Sequence, residues 1–222
     1  MMTKNGTGIR ISAVAAVLLS LVMAFALAGC GGSGGAADES GSAANESSES
    51  SGNDTEDTKV ADTKPVIEII MQDGGKIDVE LDPSAAPISV ENFLKLVNDG
   101  FYNNLTFHRI IPDFMIQGGD PEGTGMGGAD ETIKGEFSSN GVDNPISHER
   151  GVISMARSQD PDSASSQFFI TNADSTFLDG EYAAFGHVTS GMDVVDQISA
   201  VETAVGDAPV TPVVIERIVQ IQ

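Results

Sequence analysis

From Pro65 onward the chain never sustains one hydrophobic period for long. β-branched and aromatic residues arrive in short bursts: Val66–Met71, Lys76–Leu81, Thr106–Ile110, Phe114–Gln117, Val152–Ala156, Gln167–Thr171, Ala184–Val188 and Val213–Ile221. Loops rich in Gly, Pro, Asp and Ser separate most of them. Such bursts predict strands, and Asp73-Gly74-Gly75 between the first two predicts a hairpin. Only two stretches carry helical spacing. Behind Ser89, a predicted N-cap, Val90, Phe93, Leu94 and Val97 fall at i, i+3, i+4 and i+7 and stop at Asp99-Gly100; Met192–Ile198 is the second. Many short strands with two helices predict a mainly β domain over 65–222, a closed antiparallel barrel with a helix covering each end.

Before Pro65 the composition changes twice. Lys4 and Arg10 flank an otherwise uncharged start, and Ile11–Leu27 is an unbroken run of apolar and small residues, which predicts a signal peptide over 1–29. The run is a little short for a comfortable membrane-spanning helix. It ends in Leu27-Ala28-Gly29-Cys30, which resembles the bacterial lipobox at all four positions. That resemblance implies cleavage before Cys30, lipidation of its thiol, and stable anchoring of the mature chain outside the cytoplasm by two or more acyl chains. An ordinary transmembrane anchor with an incidental thiol is the alternative. Gly31 follows the cysteine, so the aspartate that in some bacteria retains lipoproteins at the inner membrane is absent, and both a single cell membrane and an outer membrane are open as the anchor's home.

Residues 30–64 then hold Gly, Ser, Ala, Asn and acidic side chains with almost no large apolar group. Such a segment buries too little surface to offset its chain entropy, which predicts a disordered tether extended by its own carboxylates. Its acidic residues lack the tight oxygen spacing of a calcium loop.

The charge balance, 33 Asp+Glu against 11 Lys+Arg, makes nucleic acid an improbable main partner. A single cysteine excludes an internal disulfide framework and a cysteine-rich zinc site. His108, His148 and His187 are dispersed, without recognisable carboxylate and nucleophile partners, and Ser154 and Ser166 lack a Gly-x-Ser-x-Gly elbow. No triad, metal site or cofactor is predicted.

One stretch has the mix of a site. From Phe107 to Pro121 a lone arginine, Arg109, and a glutamine, Gln117, stand among large apolar side chains, and Gly118-Gly119 then lets the backbone turn sharply. Further on, Phe168 and Phe169 are adjacent in a predicted strand and must point to opposite faces, one into the core and one outward.

Taken in order, Phe107-His108-Arg109, Phe114-Met115-Ile116-Gln117-Gly118-Gly119-Asp120-Pro121, Gly123-Thr124-Gly125, Gly151-Val152-Ile153-Ser154-Met155-Ala156, Ser166-Gln167-Phe168-Phe169-Ile170-Thr171, Phe177-Leu178-Asp179-Gly180 and Phe185-Gly186 resemble the cyclophilin family of peptidyl-prolyl isomerases. The likeness runs from about Pro65 to the C-terminus. It implies an eight-stranded antiparallel barrel closed by two helices, a substrate groove on one outer face, and cis/trans isomerisation of X-Pro bonds without metal or organic cofactor. It also implies roles: Arg109 as the catalytic donor, Phe114, Met115, Phe169 and Leu178 as the proline pocket, Gln117 holding the peptide and orienting Arg109, and Ala156 and Gln167 lining the groove. The competing reading of Arg109 is a surface arginine in a weak ion pair with Asp113 or another carboxylate.

Three groove positions depart from the commonest family pattern. Arg157 stands where many cyclophilins carry Asn, Phe177 where tryptophan is common, and Tyr182 where a histidine is frequent. Phe177 lacks the indole N–H donor, which predicts weakened binding of the cyclic peptide cyclosporin. The resulting expectation is an extracytoplasmic, membrane-tethered isomerase assisting the folding of exported or surface proteins. The alternative is a holdase or scaffold that grips proline-containing segments in the same groove without catalysis.

Overall fold

The computed structural model describes residues 64–222; the predicted signal peptide, Cys30 and nearly all of the tether lie outside the described residues. The strands are β1 Val66–Met71, β2 Lys76–Leu81, β3 Thr106–Ile111, β4 Met115–Gly118, β5 Val152–Met155, β6 Phe168–Thr171, β7 Ala184–Ser190 and β8 Val213–Gln220. The helices are α1 Pro87–Asn98 and α2 Met192–Ser199, and short 3-10 turns cover Ser138–Asn140 and Thr176–Leu178. Every expected strand is present, its ends within two residues of the sequence reading. All pairings are antiparallel, and the sheet closes in the order β1-β2-β7-β5-β6-β4-β3-β8, with β8 returning to β1. Closure leaves no edge open along the wall.

Alternation fills the interior. Ile67 and Ile69 of β1 point inward and are fully buried while Val66 and Glu68 are not; Ile77 and Val79 of β2 repeat the pattern, and Phe107, Ile153, Phe168, Ile170, Phe185 and Ile215 complete the core. Helix α1 drives Phe93 into this core, its ring 4.9 Å from Tyr102, 5.4 Å from Phe168 and 5.2 Å from Phe185. From α2, Val195 and Ile198 are buried against it. Each such side chain contributes about 1.5–3 kcal/mol by leaving water.

The start of α1 corrects the sequence reading. Ser89 is not the N-cap; the helix begins at Pro87 with Ala86 at the cap position and no side-chain cap of its own. Proline at the first helical position has no N–H to satisfy. The carboxylate of Glu136, only 2 % exposed, takes over the capping: Oε1 accepts the Ile88 N–H at 2.9 Å, and Oε2 accepts the Ser89 N–H and hydroxyl, both at 2.7 Å. The buried face of α1 also differs by one residue. Leu96 is buried beside Val90, Phe93 and Val97, and Leu94 is only partly covered.

Candidate active site

Strand register gathers the chemistry. Arg109 on β3 lies opposite Gln117 on β4, Gln117 lies opposite Phe169 on β6, and Phe169 lies opposite Ser154 on β5. Directly opposed residues share a face, so these four form one row across the barrel wall. Met115, two residues before Gln117, joins the same face. Phe168 points the other way, into the core, where its ring meets Phe93, Tyr102 and Phe107 edge-on.

On this face Met115, Phe169 and Leu178 form a small apolar cluster of their own, flanked by Ile111, Phe114, Ala156 and Tyr182. It opens as a slot of about 210 Å³ lined by Arg109, Phe114, Met115, Gln117, Ala156, Arg157, Phe169, Leu178 and Tyr182. A second recess of about 430 Å³ adjoins it, sharing Gln117, Ala156 and Arg157 and walled by Gln167 and the 125–129 loop. A larger cavity of about 600 Å³ lies elsewhere, between the β1–β2 turn and α2, and its lining holds no basic or aromatic side chain.

Polar side chains at the slot are held in series. Arg109 Nη1 lies 3.5 Å from Gln117 Oε1, Gln117 Nε2 donates to Gln167 Oε1 at 2.8 Å, and Gln167 Nε2 donates to the Gly127 carbonyl at 2.7 Å. The loop that receives this chain is itself organised by Asp120, whose buried carboxylate accepts the N–H groups of Glu122, Thr124 and Gly125 at 2.8, 2.9 and 2.6 Å. Burial works to raise the Asp120 pKa, but these donors together outweigh it and hold the carboxyl below its usual range. The turn out of β4 needs glycine: Gly119 has φ +85°, and a Cβ there would meet the Ser166 carbonyl oxygen at 2.4 Å.

Arg109 is half-exposed and forms an ion pair with Asp207, Nε to Oδ2 3.5 Å, and not with Asp113. The pair does not turn the guanidinium away, since Arg109 still lines the slot. Arg157 is spent on the wall. Its Nε donates to the Glu181 carbonyl at 2.9 Å, its Nη1 donates to the Ser158 carbonyl at 2.9 Å, and its guanidinium lies between the Phe137 and Tyr182 rings, 5.0 and 4.8 Å from their centroids. Such stacking is a favoured use of the planar guanidinium. Tyr182 in turn presents its ring edge-on to Phe169 at 5.9 Å. Phe177 is the one groove candidate outside both recesses: it is 71 % exposed, with its ring 5.4 Å from that of Phe114.

The fold joins one of the dispersed histidines to partners that the sequence does not announce. His148 Nδ1 lies 2.8 Å from Asp179 Oδ1, and His148 Nε2 lies 3.0 Å from Ser154 Oγ. An ionised Asp179 can only accept, so Nδ1 carries the proton and Nε2 accepts from the serine hydroxyl. Burial holds the His148 pKa below its usual value against the pull of Asp179, which keeps the ring neutral. His148 and Ser154 are both fully buried, so this triad meets no substrate. It braces the slot from behind: the His148 ring stacks on Phe169, centroids 6.1 Å apart, and Asp179 adjoins Leu178. The sequence held no signal for it, because Asp179 lies 31 residues from His148, in a different loop, and only the folded chain brings them together.

The family model for cyclophilin type peptidyl-prolyl cis-trans isomerases matches residues 66–220. Peptidyl-prolyl cis-trans isomerase B of Bacillus subtilis is 48 % identical over 130 residues, covering 59 % of this chain and 87 % of that one. Peptidyl-prolyl cis-trans isomerase A of Dickeya dadantii is 44 % identical over 161 residues, covering 67 % and 80 %. Among solved structures, a Cryptosporidium parvum cyclophilin type peptidyl-prolyl cis-trans isomerase, crystallised in the presence of the dipeptide Ala-Pro, is 33 % identical with a TM-score of 0.65 and covers 71 % of this chain and 99 % of that one. The barrel order, the outer slot with its arginine, and these relatives agree: the chain belongs to the cyclophilin-type peptidyl-prolyl cis-trans isomerase family.

Proposed function

We propose that this chain isomerises X-Pro bonds in exported or surface polypeptides from a lipid anchor at Cys30, and so assists their folding. The observation that carries the catalytic part is a guanidinium, Arg109, at an apolar slot whose walls are Phe114, Met115, Phe169 and Leu178. Rotating an X-Pro bond breaks amide resonance, a barrier of about 18–20 kcal/mol. It makes and breaks no covalent bond, so positioned protein groups suffice. The slot holds the proline ring while the preceding carbonyl swings; as the amide twists, its nitrogen regains a lone pair, and Arg109 donates to that state more strongly than to either planar isomer. Gln117, with its amide fixed by Gln167, holds the peptide backbone beside it. The Ala-Pro dipeptide used with the Cryptosporidium relative is the kind of ligand this slot suits.

Slow X-Pro isomerisation limits the folding of many chains, which is the step such an enzyme relieves. The anchoring part rests on Lys4, Arg10, the 11–27 run and the Leu27–Cys30 ending, and the acidic 30–64 segment serves as the tether. Exchange NMR on a peptide with a single X-Pro bond tests the activity: the chain accelerates cis/trans exchange at substoichiometric concentration. Peptide binding with no acceleration identifies the holdase instead. Mass spectrometry of the membrane fraction tests the anchor, with acylated Cys30 as the new N-terminus expected, and an intact N-terminus contradicting it.

A further inference from the structure

The pairing of β3 with β8 stops early. It covers only Thr106 opposite Val214 and Phe107 opposite Val213, so Ile110 needs another acceptor for its N–H. The Asp207 carbonyl supplies one at 2.8 Å. Asp207 sits in a tight reversal in which Thr203 bridges Pro209, Ala204 N–H donates to the Ala208 carbonyl at 2.7 Å, and Gly206 and Asp207 both take positive φ, +84° and +62°. Asp is among the few side chains that tolerate that backbone. The reversal thus extends the wall of the barrel ahead of the start of β8 and sets a carboxylate beside the arginine of the slot.

We propose, resting on the isomerase reading, that Asp207 is a positioning residue that orients Arg109 for the twisted amide. The guanidinium is planar, and it is approached on two edges: Asp207 Oδ2 lies 3.5 Å from Nε, and Gln117 Oε1 lies 3.5 Å from Nη1. The Gln117 oxygen faces Arg109 because its amide nitrogen is committed to Gln167. Two contacts on different nitrogens bracket the fork, and Nη2 makes no hydrogen bond among the described residues. Arg109 thus lines the slot with donors to spare. A side chain with four rotatable bonds and no such bracket samples many orientations, few of them useful to a passing transition state. Arg109 and Asp207 are 43 % and 47 % exposed, so solvent screens their attraction and the pair adds little to folding stability.

The backbone of Asp207 suggests the variants. Asp207→Gly removes the carboxylate and suits a positive φ, and Asp207→Asn keeps the size and removes the charge. In the full chain, both lower kcat for an X-Pro peptide by about tenfold, with KM and the thermal midpoint little changed. In both, the Arg109 guanidinium becomes more mobile, read as a lower NMR order parameter at Nε. Either variant keeping the wild-type kcat together with the wild-type order parameter at Arg109 Nε overturns the proposal. A chain that proves to have no isomerase activity sinks the functional reading, whereas the order parameter at Nε still reports whether Asp207 holds the arginine.

Discussion

Arg109 gains its proposed role from its neighbours more than from its own charge. Half-exposed arginines are common, and a sequence cannot tell one from another; this one lies opposite Gln117 and beside a cluster of apolar side chains that the fold leaves on the outside. The slot candidates were legible as a set because family likeness ties them together, and the Phe168/Phe169 split followed from strand geometry alone. Asp207, the Arg157 sandwich and the Asp179–His148–Ser154 brace were not, since each joins residues from separate loops and strands through contacts that leave no local pattern. Phe177 offers a test at this scale. It is largely exposed, so Phe177→Trp adds an indole N–H at the rim of the groove without disturbing the core. Cyclosporin affinity, measured by isothermal titration calorimetry for the wild type and the variant, is expected to rise several-fold; no change would mean that Phe177 does not limit binding.

At the scale of elements, the strand pattern from Pro65 onward located all the strands of the barrel, because alternation and turn residues are local signals. The start of α1 went unread because its cap comes from a carboxylate 47 and 48 residues away. Glu136 accepts three hydrogen bonds where the helix has none of its own, and it is buried. Glu136→Ala therefore removes the charged acceptor and strands two backbone N–H groups, at a cost on the order of 3 kcal/mol. Thermal denaturation should show a midpoint lower by roughly 6–12 °C. A loss of under a degree or so would show that water replaces the carboxylate at no cost. The register of β3, β4 and β6 also matters here, since a one-residue slip would carry Gln117 to the opposite face and leave Arg109 without its partner.

For the whole molecule, the class of barrel was legible but its strand order was not. β2 pairs with β7, and β3 with β8, across long stretches of chain, and nothing local announces such partners. The acid side of the pH range exposes another global property. Burial lowers the pKa of both His108 and His148, so each stays neutral in the folded state under conditions that protonate it in the unfolded chain. Below about pH 6.5 the unfolded state then binds more protons, and stability falls as pH drops. Asp120 and Asp179, also held below their usual range, extend the loss through the carboxylate range below about pH 4. The thermal midpoint should decline between pH 7.5 and 5, and less steeply in His108→Leu, because burial is what holds the His108 pKa down and neither ring nitrogen meets the geometry of a hydrogen bond among the described residues. An unchanged slope would contradict the assignment of a buried neutral ring. The proposed catalysis depends on the arginine at the slot, and exchange NMR on one X-Pro peptide can compare the wild type with Arg109→Ala. The substitution is expected to lower kcat/KM by about 10²–10³-fold while peptide affinity and thermal midpoint stay close to wild type; equal rates for the two proteins would show that the guanidinium takes no part in the rotation.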